Sequence, residues 1–345
     1  MTPIRTILRY MLLIPAILCG TAACARRQLF ERDRFLLDTH CIIKVVHHDA
    51  RRALDAIEAA FAETARVEAL CGYAPTAPVA GINRAAGRHP VAVDPELFRI
   101  IATALYFSSV TGGAFDITVG PLAELWGFRS EQRTIRQGNL PSDAQIRSAL
   151  TKTGWRHVRL CASSCTVFLE KPGMHIDLGG IAKGYAVQRA MDTLVTRGMR
   201  DVLINYGGDI EMLGRNAQGL PWKVGVQHPR HSDRIVTVIT QSSGSIVTSG
   251  DYERYFFKDG VRYHHIFDPA TGRPARGVIS ATVITNDNMI ADILSTALFV
   301  LGPQEGIRLA ESLPGVEAFI ISESTAGTTI TLTANLRARN LQFQY

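Results

Sequence analysis

Four short stretches of this 345-residue chain bring together side chains able to do chemistry. In the run Met174 to Asp192, MHIDLGGIAKGYAVQRAMD, an acid and two glycines lead straight into a helical pattern. A glycine pair lets backbone approach a ligand closely or take a positive φ. A helix starting there offers free N–H groups and the positive end of its dipole, which suits an anion. Lys183, in the first turn, adds a mobile charge for a phosphate or carboxylate, and Asp177 would take a donor from the ligand or face a metal. A plainer reading makes Asp177 a cap for the turn amides and leaves Lys183 in solvent.

The second stretch is MIADILSTALFVLG, Met289 to Gly302. On a helix, Asp292, Ser295 and Thr296 stand at i, i+3 and i+4 and share one face. A carboxylate with two hydroxyls is hard-oxygen chemistry, suited to Mg²⁺ rather than zinc. The alternative has Asp292 favouring the helix dipole and the hydroxyls bonding back to carbonyls. The third stretch, TGGAFDITVGPL from Thr111 to Leu122, sets an aromatic and an acid after two glycines, where a flat ring could lie against the backbone. It also reads as a tight turn with a core Phe, a strand-like run and a Gly-Pro stop. The fourth, Thr248 to Pro274, packs Asp251, Tyr252, Tyr255, His264, His265 and Asp268 into a short span. A histidine beside an acid there could move a proton or hold an anion, or simply be structural.

The elements that must position these residues follow from periodicity. CIIKVVHH reads as a strand. Residues 50–70 make a helix with Leu54, Ile57, Phe61 and Ala65 at helical spacing. CGYAPTAPVAGINRAAG reads as a loop, residues 95–110 as a helix, and residues 128–142 as polar and exposed. Strands are expected around 156–169. A helix from about Ile181 shows an apolar face of Val187, Ala190, Met191, Leu194 and Val195, with Gly198 as its stop. DVLINYGGDIEMLG and WKVGVQHP read as buried strands, RIVTVITQSSGSIVTSG as a hairpin, and residues 289–301 as a helix before two closing strands. Strands and helices mix without regular alternation, so the fold class is α+β. There is no repeat and no evident linker.

Composition excludes some functions. Net charge is +6, with Arg5, Arg9, Arg26 and Arg27 at the N-terminus accounting for part of it. No basic block interleaves with aromatics, so nucleic-acid binding is not expected. P-loop, dinucleotide-fold, zincin and α/β-hydrolase signatures are absent. Arg5 and Arg9 precede YMLLIPAILCGTAAC, which reads as a signal peptide over residues 1–23, too short for a membrane span. Cys24 follows two alanines and is a candidate for lipidation, although Thr21 stands where a lipobox usually has Leu. Cys161 and Cys165 flank a short polar turn and would form a hairpin disulfide or remain free thiols.

Taken in order, T-G-G-x-F-D, D-L-G-G-I-A-K-G-Y, N-Y-G-G-D-I, T-S-G-D-Y-E-R, H-I-F-D-P-x-T-G-x-P and A-D-x-L-S-T-A resemble the ApbE family. These are bacterial FAD:protein FMN transferases, often periplasmic lipoproteins. The resemblance runs from about Phe35 to the C-terminus. It implies one T-fold-like α+β domain over residues 30–345 behind the signal peptide. It further implies Mg²⁺-dependent cleavage of the FAD diphosphate, with FMN passed through its phosphate to a Thr or Ser of an acceptor protein and AMP released. Asp292, Ser295 and Thr296, with the Gly180 carbonyl opposite, would be the Mg²⁺ group. Asp177 and Lys183 match FAD contacts; Ala114, Phe115 and Asp116 match the flavin-binding turn; Ile266, Tyr73 and Leu37 match further contacts. His265 or Asp268 would assist as base. The chain departs from the pattern at Leu37-Asp38-Thr39, where the family has Met-Gly-Thr, and in LCGYAPTAPVAGIN, which lacks the usual Ser and acidic residues before Asn83.

Two other functions use the same residues: an FAD diphosphatase, with water in place of the acceptor, and a periplasmic flavin-binding protein without turnover. The resemblance implies acceptors among flavin-carrying subunits of sodium-pumping NADH:quinone reductases, related electron-transport complexes and FMN-binding domain proteins. A lipid anchor would hold the enzyme at the inner membrane, facing the periplasm.

Overall fold

The computed structural model describes residues 27–129, 140–324 and 327–344. The leader, Cys24 and most of the polar segment 128–142 lie outside the described residues. The centre is an eight-stranded sheet in which every neighbouring pair is antiparallel. Its order in space is Gln28–Leu36, Thr39–His47, Val202–Tyr206, Asp209–Leu213, Ser243–Gly250, Val278–Thr285, Glu317–Ser324 and Gly327–Leu332.

Both faces of the central strands are covered, and the side chains alternate accordingly. Ile43, Ile204, Val247, Val283 and Ile320 face a helical layer. Val46, Leu203, Ile246, Ile284 and Phe319 face a second, smaller core on the other side. The hairpin of Trp222–His228 with His231–Gln241 closes that second core. Its first strand buries every other residue, as expected of a sheet wet on one face.

Three helices build the first layer. Ala50–Cys71 begins at Asp49, whose side chain accepts from the Arg52 amide at 3.0 Å. Its buried residues Ala53, Ala56, Ile57, Ala60, Phe61, Thr64 and Val67 keep to one stripe. Ala182–Thr196 packs between it and Asn288–Ser312. The last helix is capped by Asp287, which accepts from the Ile290 amide at 2.9 Å.

Several local expectations change. The last helix runs to Ser312 rather than ending near 301, because Gly302, at φ 81°, absorbs a kink and Pro303 restarts the helix beyond it. RIVTVITQSSGSIVTSG is not a hairpin: its first half pairs back to Trp222–His228, and its second half enters the main sheet between Asp209–Leu213 and Val278–Thr285. The Ala-rich loop contains a helix, Pro78–Arg84, with proline at its start. The run ITV after Asp116 is a 3₁₀ turn, and the Gly-Pro expected to stop it opens the helix Gly120–Leu125. The helix Asp143–Leu150 carries a capping box between Ser142 and Gln145, a legible signal that period-counting passes over. Cys161 and Cys165 are free thiols.

Candidate active site

A cavity of about 300 Å³ opens where the helical layer meets the Asp116 turn and the His265 segment. Tyr73, Ala114, Phe115, Asp116, Asp177, Gly180, Lys183, His265, Ile266, Asp292 and Thr296 all line it. Residues more than 200 positions apart in sequence thus share one space. Three sequence candidates do not line it. Leu37 sits in the hairpin turn, its amide donating to Glu68 at 2.7 Å, while the next residue, Asp38, reaches the cavity. The Asp268 carboxylate is taken up by its own turn, accepting from the Ala270 amide and the Thr271 hydroxyl at 2.9 Å each. Ser295 is wholly buried and bonds back to the Asp292 carbonyl at 2.9 Å, as the plainer reading of that helix allowed.

The corner Asp177–Gly180 is held in several ways. The Asp177 amide donates to the Ile117 carbonyl, which ties the corner to the Asp116 turn. Its carboxylate accepts from the Gly179 amide at 2.8 Å and from the Tyr73 hydroxyl. Asp177 thus satisfies a turn amide, as the plainer reading allows, although the N-cap of the helix itself is Ile181. Burial, then the Asp177 charge, raises the Tyr73 phenol well above its usual range, so it remains a donor. Asp116 is similarly committed: it accepts from the Thr118 amide and hydroxyl and from the Trp155 amide. Its role is to fix the turn that presents Phe115 against Gly180.

Gly184 lets the two central helices touch. A Cβ there would lie 2.5 Å from the Asn288 carbonyl oxygen and 2.7 Å from the Asp292 Cβ. The close approach allows the Gly184 amide to donate to Asp292 Oδ2 at 2.9 Å. Lys183, one residue earlier, is ion-paired with Asp209, which is wholly buried. Lys183 is thus not a free charge. In sequence N-Y-G-G-D-I stands only as a pattern; an acid opening a strand straight after the apolar strand Val202–Tyr206 is the signal for Asp209. Burial, then Asp209, raises the Asp292 carboxyl to about 8.

Asp209 and Asp292 set two buried carboxyls against the single Lys183 ammonium, and both are raised, first by burial; Asp209 Oδ2 has no partner but the neighbouring Asp292 carboxyl. Thr296 Oγ1 lies 3.6 Å from the Cβ position of Gly180, and Ser249 Oγ lies 3.4 Å from Thr296 Oγ1 and 2.7 Å from Ser295 Oγ. Among the described residues no three His, Cys, Asp or Glu side chains form a metal group. One carboxyl that a cation would ionise, beside hydroxyl and carbonyl oxygens and a second buried carboxyl, fits a hard divalent cation. Ser249 was not singled out from sequence, although T-S-G-D-Y-E-R contains it.

The two adjacent histidines divide their roles. His264 is buried, with Nε2 against the Ala275 carbonyl at 2.9 Å and Nδ1 accepting from the Ile266 amide at 3.3 Å. Burial pushes it down to about 4. His265 lines the cavity, and burial followed by the Arg254 charge holds it well below the usual histidine range. Its Nδ1 faces the Arg254 carbonyl at 3.3 Å. A carbonyl only accepts, so Nδ1 carries the proton and Nε2 is left as a basic lone pair.

The sequence model of the ApbE family matches residues 37–320. A FAD:protein FMN transferase of Treponema pallidum is 34% identical over 325 residues, covering 88% of each chain. One from Klebsiella pneumoniae is 38% identical over 250 residues, 71% of this chain and 75% of the other. The solved ApbE protein of Thermotoga maritima superposes with a TM-score of 0.81 at 37% identity, covering 90% of this chain and 99% of that one. The flavin transferase ApbE of Vibrio cholerae gives a TM-score of 0.80 at 28% identity, with the same coverage.

Proposed function

This chain belongs to the ApbE family and is a flavin transferase, and we propose that it transfers FMN from FAD to a Thr or Ser of an exported acceptor protein in a Mg²⁺-dependent reaction. The observation that carries this reading is the placement of His265, neutral and with Nδ1 on the Arg254 carbonyl, on the same cavity as Asp292, Thr296 and the Asp177–Gly180 corner. Asp292, Thr296 and the Gly180 carbonyl would hold Mg²⁺, with Ser249 and Ser295 supporting Thr296. An ion held there would supply positive charge to offset that of the diphosphate and the leaving AMP.

The acceptor oxygen attacks the FMN-side phosphorus, a new P–O bond forms, and the P–O bond to AMP breaks. The hydroxyl proton passes to His265 Nε2, whose Nδ1–H stays on the Arg254 carbonyl. Phe115 and Ile266 supply apolar wall for the flavin, and Tyr73 keeps Asp177 oriented. Phosphoryl transfer rests on positioning and electrostatics more than on a strong nucleophile, so one neutral imidazole suffices as base.

Acceptors of this kind are flavin-carrying electron-transport subunits, such as those of sodium-pumping NADH:quinone reductase, or FMN-binding domain proteins. The leader-like N-terminus and Cys24 support a periplasmic enzyme anchored by lipid at the inner membrane. Assaying FAD with and without acceptor and chelator tests the reading. AMP release in step with flavin attached to protein, abolished by chelation, is the expected result. AMP and free FMN in equal amounts, whether or not acceptor is present, would make it a diphosphatase instead.

A further inference from the structure

The transfer reading brings two phosphates into a cavity already walled by Asp38, Asp116, Asp177 and Asp292. Three cations share that wall: Arg129, Lys183 and Arg254. Lys183 is spent on Asp209, whose carboxylate lies behind it in the core. Arg129 and Arg254 differ, because among the described residues neither has a carboxylate within ion-pair reach. The positive charge available to an incoming anion is therefore theirs, not that of the lysine.

Their placement is specific. The Arg129 guanidinium lies over the Tyr73 ring, 5.0 Å from its centroid. The Tyr73 hydroxyl donates to Asp177 and sits 3.2 Å from the Cβ position of Gly179, so Arg129 stands beside the Asp177–Gly180 corner. Stacking also fixes the guanidinium before a ligand arrives, which lowers the entropy lost on binding. Arg254 approaches from the opposite segment. Its carbonyl accepts from both the amide and the ring of His265, and its charge acts on His265 and on the Tyr73 hydroxyl alike. A guanidinium fork matches phosphate oxygens two at a time, where an ammonium acts as a point charge.

We infer that Arg129 and Arg254 are the phosphate-binding side chains of this cavity, Arg129 at the Asp177–Gly180 corner and Arg254 beside the base. The inference rests on the transferase reading for its ligand, FAD.

The test compares two ligands that share the flavin ring and differ in phosphate. Binding of FAD and of riboflavin is measured by flavin fluorescence for the mature protein and for Arg129→Gln, Arg254→Gln and the two Arg→Lys variants, with thermal melting as a check on folding. The expected result is a rise of about tenfold or more in the Kd for FAD in each Gln variant, unchanged riboflavin binding, and partial recovery in the Lys variants. Unchanged FAD binding would overturn the assignment. So would equal weakening of both ligands, which would make the arginines flavin-stacking groups, and so would a change confined to the KM for the acceptor. Failure of the transferase reading is seen separately, as no flavin attached to an acceptor protein by the unaltered protein.

Discussion

Lys183 and Asp209 form an ion pair between the first turn of one helix and the start of a central strand, with Asp209 entirely out of solvent and one of its oxygens unsatisfied. The pair sets the electrostatics of the site, since Asp292 lies next to it and is raised to about 8 partly by Asp209. Breaking a buried pair from one side strands the other charge, at a cost of about 3 kcal/mol. Lys183→Met is therefore expected to lose about that much stability in urea denaturation. Lys183→Met/Asp209→Asn should recover part of it. Additive losses in the double variant would mean the pair is not coupled.

Asp292 gives the stability of the metal-free protein a pH dependence. Its carboxyl moves from 3.8 to about 8 on folding, so between those values the folded protein holds a proton that the unfolded chain has lost. Stability then falls as pH rises from 3.8 to about 8 and levels off above. Glu211, also raised to about 8 by burial, adds to the slope in the same direction. A divalent cation takes the ionised carboxylate and displaces that proton, so Mg²⁺ should raise the Tm more at about pH 9 than at about pH 6. Asp292→Asn should reduce the slope to the part due to Glu211 and remove the Mg²⁺ shift. A Mg²⁺ shift that survives in Asp292→Asn would move the metal elsewhere.

The contact at Gly184 leaves no room for a methyl group, because the atoms a Cβ would meet include backbone of the facing helix. Gly184→Ala should cost about 2 kcal/mol of stability by overpacking. It should also reduce turnover out of proportion, because the Gly184 amide no longer holds Asp292 Oδ2. Melting curves and single-turnover rates measured together check this; a stable, fully active variant would contradict it.

The base is assigned by geometry. His265→Ala should lower kcat by about 10²–10⁴-fold while FAD still binds. Asp268→Asn, confined to its turn, should leave kcat within about twofold and act on stability alone, by about 1 kcal/mol. A large loss of kcat in Asp268→Asn with His265 intact would reverse the roles.

Local spacing made much of this legible. The face shared by Asp292 and Thr296 follows from helical period, and the glycine corner at Asp177 follows from two residues without Cβ. CIIKVVHH reads as a strand, and it is one, Thr39–His47. What spacing cannot encode is which long-range partner takes a charge. Lys183 read as a free cation because Asp209, 26 residues away, lies on a strand that the sequence shows only as buried. Asp268 read as a base because its capture by Ala270 and Thr271 is a matter of turn geometry. The Ser243–Gly250 strand read as half of a hairpin because alternation fixes a face, not a partner. Arg129 and Arg254 are ordinary surface arginines in sequence and acquire meaning only where Tyr73 meets the Asp177 corner.

The transferase differs from a diphosphatase in one outcome: FMN ends on a protein hydroxyl. Intact-mass spectrometry of an acceptor bearing a flavinylation threonine, incubated with this protein, FAD and Mg²⁺, tests it most directly. The expected result is a gain equal to one FMN phosphoester per acceptor, lost on chelation and lost when that threonine is replaced by valine. An unmodified acceptor, with FAD converted to free FMN and AMP, would contradict it.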